Sequence, residues 1–332
     1  MQDTIDFIIP WVDGADPNWQ KLKRKYSGKE TTNENQDCRY RDWEILKYWF
    51  RSIEKNAPWF RKIHFVTCGQ IPDFLNVDHP KLNLVNHTDY IPEKYLPTFS
   101  SHVIELNFHR LHDLAEQFVY FNDDMFINRP MSERDFFQEG KPRYRYLESP
   151  FIPHSPISPI FYYSLNSIGV VNNHFSGRKN RRQEGFKKLS PKNGKAIAGN
   201  LLMLPWSGYS AFHTDHMAVP LLKSTLNEIW EKEFDLLDQT SSHKFRELTD
   251  INQYVIRYWD MARGNFVPGK NSCGFYDINS GNIDACIMAI QNAQYSLICI
   301  NDSAASDNFE ILKSKLVQAF ERRYPEKCSF EK

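Results

Sequence analysis

The sequence has no C-x-x-C pair, no long apolar run and no excess of charge of one sign. Its six cysteines are scattered, so neither a zinc cluster nor a redox dithiol is predicted. No apolar segment approaches the roughly 20 residues of a membrane-spanning helix, and the N-terminus lacks the basic and apolar regions of a signal peptide. These absences predict a cytoplasmic protein with reduced thiols.

Two function classes are disfavoured by what else is missing. The 41 basic and 41 acidic residues give a formal net charge of zero, so no overall positive field favours a nucleic-acid partner. A Walker loop, a G-x-G-x-x-G motif and the kinase motif set are also not found. A phosphate-bearing ligand would therefore need another kind of site.

The pattern that is present is typical of one large α/β enzyme. The 332 residues can bury a sizeable core, and the aromatic content of 14% suits clefts that pack against sugar faces, although a core uses the same residues. Strands that alternate with helices predict a mostly parallel sheet flanked by helices. We expect a single catalytic domain with a nucleotide-binding half (1–130), an inserted loop-rich and helical region (131–205) and a second half (206–332) that completes the active site.

The central stretch is F-V-Y-F-N-D-D-M-F at 118–126. Its apolar start predicts a buried strand, and Asn122, Asp123 and Asp124 follow at the carboxyl end, where open α/β sheets bind ligands. Two carboxylates and an amide suit a divalent cation that holds a diphosphate. For this tripeptide alone, an ordinary turn is the alternative.

Two more predicted strands end in acid. A strand at 295–300 runs into Asn301 and Asp302, and an opening strand at 5–12 runs into D-G-A-D-P, which is either a plain turn or a nucleotide-binding loop. Carboxylates gathered at one sheet edge repel unless a cation or protons join them. The candidate nucleotide-binding residues of the opening loop are Trp11, Asp13, Gly14 and Asp16.

Basic and histidine residues lie between these strands. Arg39 and Arg41 could neutralise phosphate or pair with nearby aspartates. A predicted helix at 100–112 places His102 and Glu105 on one face, as polar residues near a substrate, with plain hydrogen-bonded histidines as an equal alternative and a zinc site less favoured. A basic loop is predicted at 177–195, as solvated surface, a lid, or a patch for an anionic polymer or lipid. A further helix is predicted to begin at Pro220.

These motifs together resemble the Stealth family of capsular polysaccharide phosphotransferases. That family is related to the catalytic subunit of the lysosomal-enzyme N-acetylglucosamine-1-phosphotransferase. Departures from the family pattern are Pro10 for threonine, Ala15 for serine and Cys68 for aspartate. The segments that carry the resemblance are 5–17, 39–42, 52–59, 66–70, 97–105, 120–126, 216–224, 243–246 with Asp250, 299–302 and 324–331.

The resemblance implies a glycosyltransferase-A-like α/β core and a bacterial enzyme of capsule or exopolysaccharide synthesis. It implies transfer of a sugar-1-phosphate from a UDP-sugar, such as UDP-GlcNAc or a similar hexose donor, to an acceptor sugar hydroxyl, with release of UMP. The residues expected to perform the transfer are His216, Arg246, Asp124 and Asp302. Asp124 and Asp302 would bind Mg²⁺ or Mn²⁺. The residues expected on the donor side are Trp11, Asp13, Gly14, Asp16, Arg39, Arg41 and Asn122. The residues expected on the acceptor side are His102, Glu105 and Asp250.

Two other function classes remain open. An ordinary metal-dependent glycosyltransferase would attack the anomeric carbon and release UDP. A carbohydrate-binding module would explain the aromatic residues but not acids at three strand ends, and it would show no turnover. For location, the sequence predicts the cytoplasm, with peripheral association at the inner face of the bacterial membrane through residues 178–188 as a hypothesis.

Overall fold

The computed structural model describes residues 4–27, 40–183, 185–302 and 308–332. The strands of this part of the chain are β1 (Ile5–Pro10), β2 (Ile63–Thr67), β3 (Leu82–Asn86), β4 (Gln117–Tyr120), β5 (Met125–Ile127), β6 (Phe137–Gln138), β7 (Lys141–Tyr144), β8 (Val219–Leu222), β9 (Val267–Pro268), β10 (Cys273–Ile278) and β11 (Leu297–Asp302). Its helices are α1 (Pro17–Tyr26), α2 (Leu46–Asn56), α3 (Ser101–Leu106), α4 (Pro159–His174), α5 (Gly177–Gln183), α6 (Gly185–Lys188), α7 (Ala196–Leu202), α8 (Lys223–Lys232), α9 (Phe234–Ser242), α10 (Tyr254–Arg263), α11 (Ile283–Gln291) and α12 (Phe309–Arg323).

The central sheet has the strand order β3-β2-β1-β4-β8. The first four strands are parallel, and β8 joins the edge in the antiparallel direction, with Phe118 opposite Leu221. The strands β1, β2, β4 and β8 are almost completely buried, whereas β3 at the edge is only partly buried, and such burial is typical of a sheet with helices on both faces. The predicted α/β class, a mostly parallel sheet flanked by helices, is confirmed.

The two faces of this sheet belong to two separate apolar cores. Phe7 and Ile9 of β1 pack into a core with α2 and α12, whereas Ile8 between them packs into a core with α8 and α10. This alternation follows from the two-residue period of a strand. The continuous apolar run of β1 therefore fixes the strand between two helical layers.

A second, three-stranded sheet has the order β10-β11-β5. The turn Asn122–Asp124 connects β4 of the central sheet to β5 of this sheet, which pairs with β11 in the antiparallel direction. The backbone N–H of Ile300 donates to the carbonyl oxygen of Asp124 at 2.9 Å. The ends of β4 and β11, which were predicted to carry acid, therefore meet at this junction.

The prediction of a loop at 177–195 is wrong, because this basic segment forms α5, α6 and a short 3-10 turn. Arg181 is buried in a two-pronged ion pair with Glu148, and it also donates to the carbonyl oxygen of Trp206 at 2.6 Å. Lys188 is buried as well. These cations hold the insert together, so the charge run does not describe a uniformly solvated surface.

The helix predicted to begin at Pro220 begins three residues later, at Lys223. Pro220 lies in β8 opposite Val119, at the edge of the central sheet. A proline, which has no backbone N–H, is tolerated on an edge strand. Pro220 therefore marks a sheet edge here and not a helix start.

No helix in the described ranges is long and apolar enough to cross a membrane. Within the same ranges the cysteines are free thiols, namely Cys68, Cys273, Cys286, Cys299 and Cys328.

Buried His87 gives the fold a defined acid sensitivity. Burial lowers its pKa to about 4, so between pH 6.5 and 4 the unfolded chain binds a proton that the folded chain does not. The free energy of unfolding should therefore fall by about 3 kcal/mol from this residue as pH drops through that window. Denaturant titrations at pH 7 and pH 4 measure this loss, and His87→Gln is expected to lose less stability than the parent over the same interval. Equal losses of unfolding free energy in the parent and in His87→Gln would show that His87 is not the source of the acid sensitivity.

Candidate active site

A cleft of about 610 Å³ opens at the carboxyl ends of β1, β4 and β11. Its volume lies in the range of ordinary ligand pockets. Many of the residues predicted from the sequence line it, including ones from segments more than a hundred residues apart. Those lining residues are Trp11, Arg41, His102, Glu105, Asn122, Asp123, Asp124, His216, Arg246 and Asp302.

His216 faces the turn after β4. Its Nε2 lies 3.4 Å from Nδ2 of Asn122 and 3.9 Å from Oδ2 of Asp124. The other end of the Asn122 amide, Oδ1, contacts the Tyr120 hydroxyl, which also lies 2.8 Å from Glu105. With the amide nitrogen donating, Nε2 of His216 is the acceptor, so its single lone pair points at the turn after β4, and a hydroxyl that takes the place of this contact would meet the same nitrogen.

Asp124, His216 and Cys299 form a group of metal-ligating types within 4.8 Å among the described residues. Burial and the neighbouring Asp124 raise the pKa of Cys299 well above its usual value. Its Sγ–H donates to Oδ2 of Asp124 at 3.4 Å, so Cys299 is a neutral hydrogen-bond donor to this carboxylate. The oxygen atoms of Asp124 and its neighbours fit a hard cation such as Mg²⁺ or Mn²⁺.

Asp123 lies beside Asp124 at the base of the cleft. Loss of hydration among the surrounding cleft walls raises the pKa of Asp123 to about 7, and the negative charges of Asp124 and Asp42 raise it further. Its side chain is nevertheless open to the cleft. Asp42, Asp123 and Asp124 therefore bring their carboxylates to one opening, and a divalent cation in that opening would relieve their repulsion.

Asp302, the second predicted metal ligand, has a strong partner in the chain. Arg41 binds it with two bonds, from Nη2 to Oδ1 at 2.6 Å and from Nε to Oδ2 at 3.0 Å. The indole N–H of Trp43 also donates to Oδ2 at 3.2 Å. Arg41 and Asp302, which were predicted to serve phosphate and metal separately, neutralise each other here. The metal role of Asp302 stays a prediction.

Asp250 was predicted on the acceptor side, but it lies behind the cleft wall and is fully buried. Its carboxylate contacts Nδ1 of His102 at 2.9 Å and Nδ1 of His243 at 2.6 Å. The contact with Asp250 fixes the ring of His102, which lines the cleft. Arg246, on the same wall, donates from Nη2 to the Ser101 hydroxyl at 2.8 Å.

The loop after β1 places only some of its predicted residues on the cleft. Trp11 lines the wall and stacks on Phe65, whereas the Asp16 carboxylate caps α1 and accepts from Gln70 Nε2 at 2.9 Å. The backbone N–H of Asp13 donates to Gln70 Oε1 at 2.8 Å. A Cβ on Gly14 would lie 2.0 Å from the Tyr40 carbonyl oxygen, so the glycine permits close approach of the segment that carries Arg41.

One predicted residue is not described by the structure, and several residues that were not predicted line the cleft. Arg39 lies outside the described residues. The start of α4, within the predicted insert, adds a wall of the cleft that carried no motif. A Ser-Pro helix start at 158–159, followed by apolar positions, is the one signal that indicates a helix there. The lining residues from this helix start are Ser158, Ile160, Tyr163 and Ser164.

Two regions of the chain match conserved regions of Stealth proteins. Conserved region 1 matches residues 3–31, and conserved region 2 matches residues 39–144. These matches cover the strands β1 to β4 and the Asn122–Asp124 turn, which form one side of the cleft.

Relatives of known name match along almost the whole chain. A capsular polysaccharide phosphotransferase of Streptococcus pneumoniae is 41% identical over 99% of this chain and 98% of its own. A receptor polysaccharide phosphotransferase of Streptococcus oralis is 38% identical over 98% and 99%. An exopolysaccharide phosphotransferase of Lactiplantibacillus plantarum is 33% identical over 99% and 96%.

Solved structures resemble the chain only at a distance. The galactosyltransferase LgtC, in complex with donor and acceptor sugar analogues, is 10% identical over 93% of this chain and 95% of its own, with a TM-score of 0.37. The bifunctional glycosyltransferase WbbM gives 11% identity over 97% and 52%, with a TM-score of 0.37. Identity to the named relatives over their full length is decisive: the chain belongs to the Stealth family and is a transferase of the phosphotransferase type.

Proposed function

We propose that this enzyme transfers a sugar-1-phosphate from a UDP-sugar to a sugar hydroxyl, forming a phosphodiester and releasing UMP. The donor class is UDP-GlcNAc or a similar UDP-hexose. The acceptor is a capsular oligosaccharide or polysaccharide, which the names of the relatives support. The free thiols of the described residues support a reducing compartment, so we propose that the reaction takes place in the cytoplasm.

The observation that carries this proposal is the convergence of opposite charges and one histidine in a single cleft. Asp123 and Asp124 lie at its base, and Arg246 and His216 lie on its walls. A diphosphate needs cations and hydrogen-bond donors around it, whereas an attacking hydroxyl needs a nearby proton acceptor. The aromatic wall that includes Trp11 suits the flat faces of a base or a sugar.

In the proposed step, the acceptor hydroxyl oxygen attacks the phosphorus that bears the sugar. The acceptor hydroxyl replaces Asn122 at Nε2 of His216, this nitrogen takes the hydroxyl proton, and a new bond forms between the acceptor oxygen and this phosphorus. The bond from this phosphorus to the bridging oxygen breaks, and UMP leaves with that oxygen and its electron pair. Arg246 binds a non-bridging phosphate oxygen, on which charge is held during transfer.

The proposed cofactor is Mg²⁺ or Mn²⁺, held by Asp124 with Asp302 as the second predicted ligand. When bound, the cation neutralises charge on the diphosphate and on the departing UMP. Before the acceptor binds, Asn122 holds the imidazole of His216 in its orientation through the 3.4 Å contact. Asp250 holds His102, which we place beside the acceptor together with Glu105.

The experiment that tests the reaction is product analysis. The purified chain is incubated with a panel of UDP-sugars, with Mg²⁺ or Mn²⁺, and with capsule-type oligosaccharides, and nucleotides are separated by chromatography. We expect UMP to appear in equal amount to a phosphodiester product, which phosphorus NMR identifies. A reaction without acceptor is the control for donor hydrolysis.

The alternative is an ordinary metal-dependent glycosyltransferase that shares the donor and the metal. It would attack the anomeric carbon, so it would release UDP and leave no phosphorus in the product. UDP as the main nucleotide, with a phosphorus-free glycoside, would overturn the proposed transfer. A carbohydrate-binding module would bind acceptor and release neither nucleotide.

A further inference from the structure

The helical insert carries an unusual combination of exposed apolar side chains and basic residues. Phe186 is 97% exposed, Leu202 is 75% exposed and Trp206 is 63% exposed. Large apolar side chains this exposed are not needed for packing, and a group of them marks an interaction surface. The surface defined by α5, α6, α7 and residues 203–206 is called the insert face below.

The charged residues of this segment are almost all basic. Between residues 177 and 206 the sequence has eight basic residues and one acidic residue, Glu184. Three of the basic side chains are used internally: Arg181 and Lys188 are buried, and Lys187 donates to the carbonyl oxygen of Gly264 at 2.6 Å. The basic residues that remain exposed are Arg178, Lys179, Arg182, Lys192 and Lys195.

Hydrogen bonds hold the basic and apolar parts side by side. Arg178 donates from Nη2 to the carbonyl oxygen of Pro205 at 3.0 Å, which ties α5 to the segment that carries Trp206. Asn200 donates from Nδ2 to the carbonyl oxygen of Lys188 at 2.8 Å, which ties α7 to the helix that carries Phe186. The segments that carry the exposed groups are therefore tied to one another, and the buried pair of Arg181 and Glu148 braces them.

We propose that the insert face docks on the surface of an anionic lipid bilayer. The exposed cations meet the negative headgroups, and the phenylalanine, leucine and tryptophan side chains enter the interface between headgroups and acyl chains. Tryptophan suits this boundary because one part of its ring system is apolar and its N–H is polar. Charge complementarity favours a lipid surface over a second copy of this face, which would bring like charges together.

The docking is separate from the transfer reaction. The insert face lies beyond the far end of α4, whose first residues line the cleft. Vesicle binding can thus be measured without donor, acceptor or metal, and its outcome is independent of the proposed reaction.

Vesicle flotation with the full chain tests the proposal. One set of vesicles contains equal parts of phosphatidylglycerol and phosphatidylcholine, and the other contains phosphatidylcholine alone. We expect the chain to float with the anionic vesicles at low ionic strength and to remain unbound with the neutral ones. Added salt should weaken binding, since it screens charges near the surface.

Two variants separate the contributions of charge and apolar contact. Lys179→Gln with Arg182→Gln is expected to lower the vesicle partition coefficient on the order of 30-fold, because each Lys or Arg near an anionic membrane surface strengthens binding on the order of 5-fold. Phe186→Ser with Leu202→Ser is expected to lower it on the order of 10-fold or more. Lys21→Gln with Arg24→Gln, on exposed positions of α1, removes the same charge elsewhere and should leave binding unchanged. Unchanged melting temperatures confirm folding.

Three results would overturn the proposal. The first is no binding of the parent chain to anionic vesicles. The second is binding that the α1 control weakens as much as the insert-face variants do. The third is a concentration-dependent dimer in sedimentation that Phe186→Ser with Leu202→Ser abolishes, because a second copy would then cover the face.

Discussion

Replacing His216 with alanine is expected to lower kcat by about 10²–10⁴-fold, the usual contribution of a general base. His216 lines the cleft, and its Nε2 accepts from Asn122 and has the carboxylate of Asp124 3.9 Å away. Truncation leaves the acceptor hydroxyl without a proton acceptor, but it leaves the donor-binding residues in place. The donor KM should therefore change less than kcat. Rates of UMP release under saturating donor measure the effect.

A matched control is available three residues upstream. His213 is 54% exposed and lies 3.6 Å from Asp215, so His213→Ala removes an imidazole from the same segment without touching the turn after β4. We expect near-normal turnover from this control. Added imidazole should restore part of the activity of His216→Ala, because the vacated space faces the cleft. Full activity of folded His216→Ala would show that the base lies elsewhere, with His102 next to be tested.

The sequence predicts those parts of the site that lie at the carboxyl ends of apolar strands. Asn122 and Asp124 lie at the end of a continuous apolar run, and such a run becomes a central parallel strand whose carboxyl end opens on the ligand side. The acid of β11 lies nearby for another reason, since β11 belongs to the second sheet and pairs with β5 directly after the Asn122–Asp124 turn. His216 and Arg246 came from the family resemblance, since no spacing rule connects them to β4.

Other features depended on partners distant in sequence. The pairing of Arg41 with Asp302 spans 261 positions, and no local pattern distinguishes that arginine from a phosphate ligand. Arg181 was expected on a basic surface, but burial against Glu148 makes it a structural cation. Pro220 satisfied the local rule for a helix start, yet tertiary pairing with β4 placed it in a strand. In each case a long-range contact outweighed the local preference.

Asp124→Asn is expected to abolish cation-dependent stabilisation and to lower kcat by about 10²–10³-fold. In the parent chain, Mg²⁺ or Mn²⁺ at about one hundred times its dissociation constant should add about 2.7 kcal/mol to the free energy of unfolding. That corresponds to a rise of about 5 °C in Tm. The rise should disappear in the variant, because the amide has lost the negative charge that a hard cation prefers. Thermal melts with and without cation measure this independently of turnover.

The controls for this prediction assign the two candidate ligands separately. Asp284→Asn removes a carboxylate that is 81% exposed and paired with Lys315 on α12, so its cation response should equal that of the parent. If Asp302→Asn loses the rise in Tm on adding cation, Asp302 is a metal ligand that releases Arg41 when the metal binds. If the rise is retained, Asp302 is the structural partner of Arg41. If the parent chain responds to neither cation and turns over in EDTA, the proposed metal site is wrong. The repulsion between Asp123, Asp124 and Asp42 must then be relieved by protons or by Arg246.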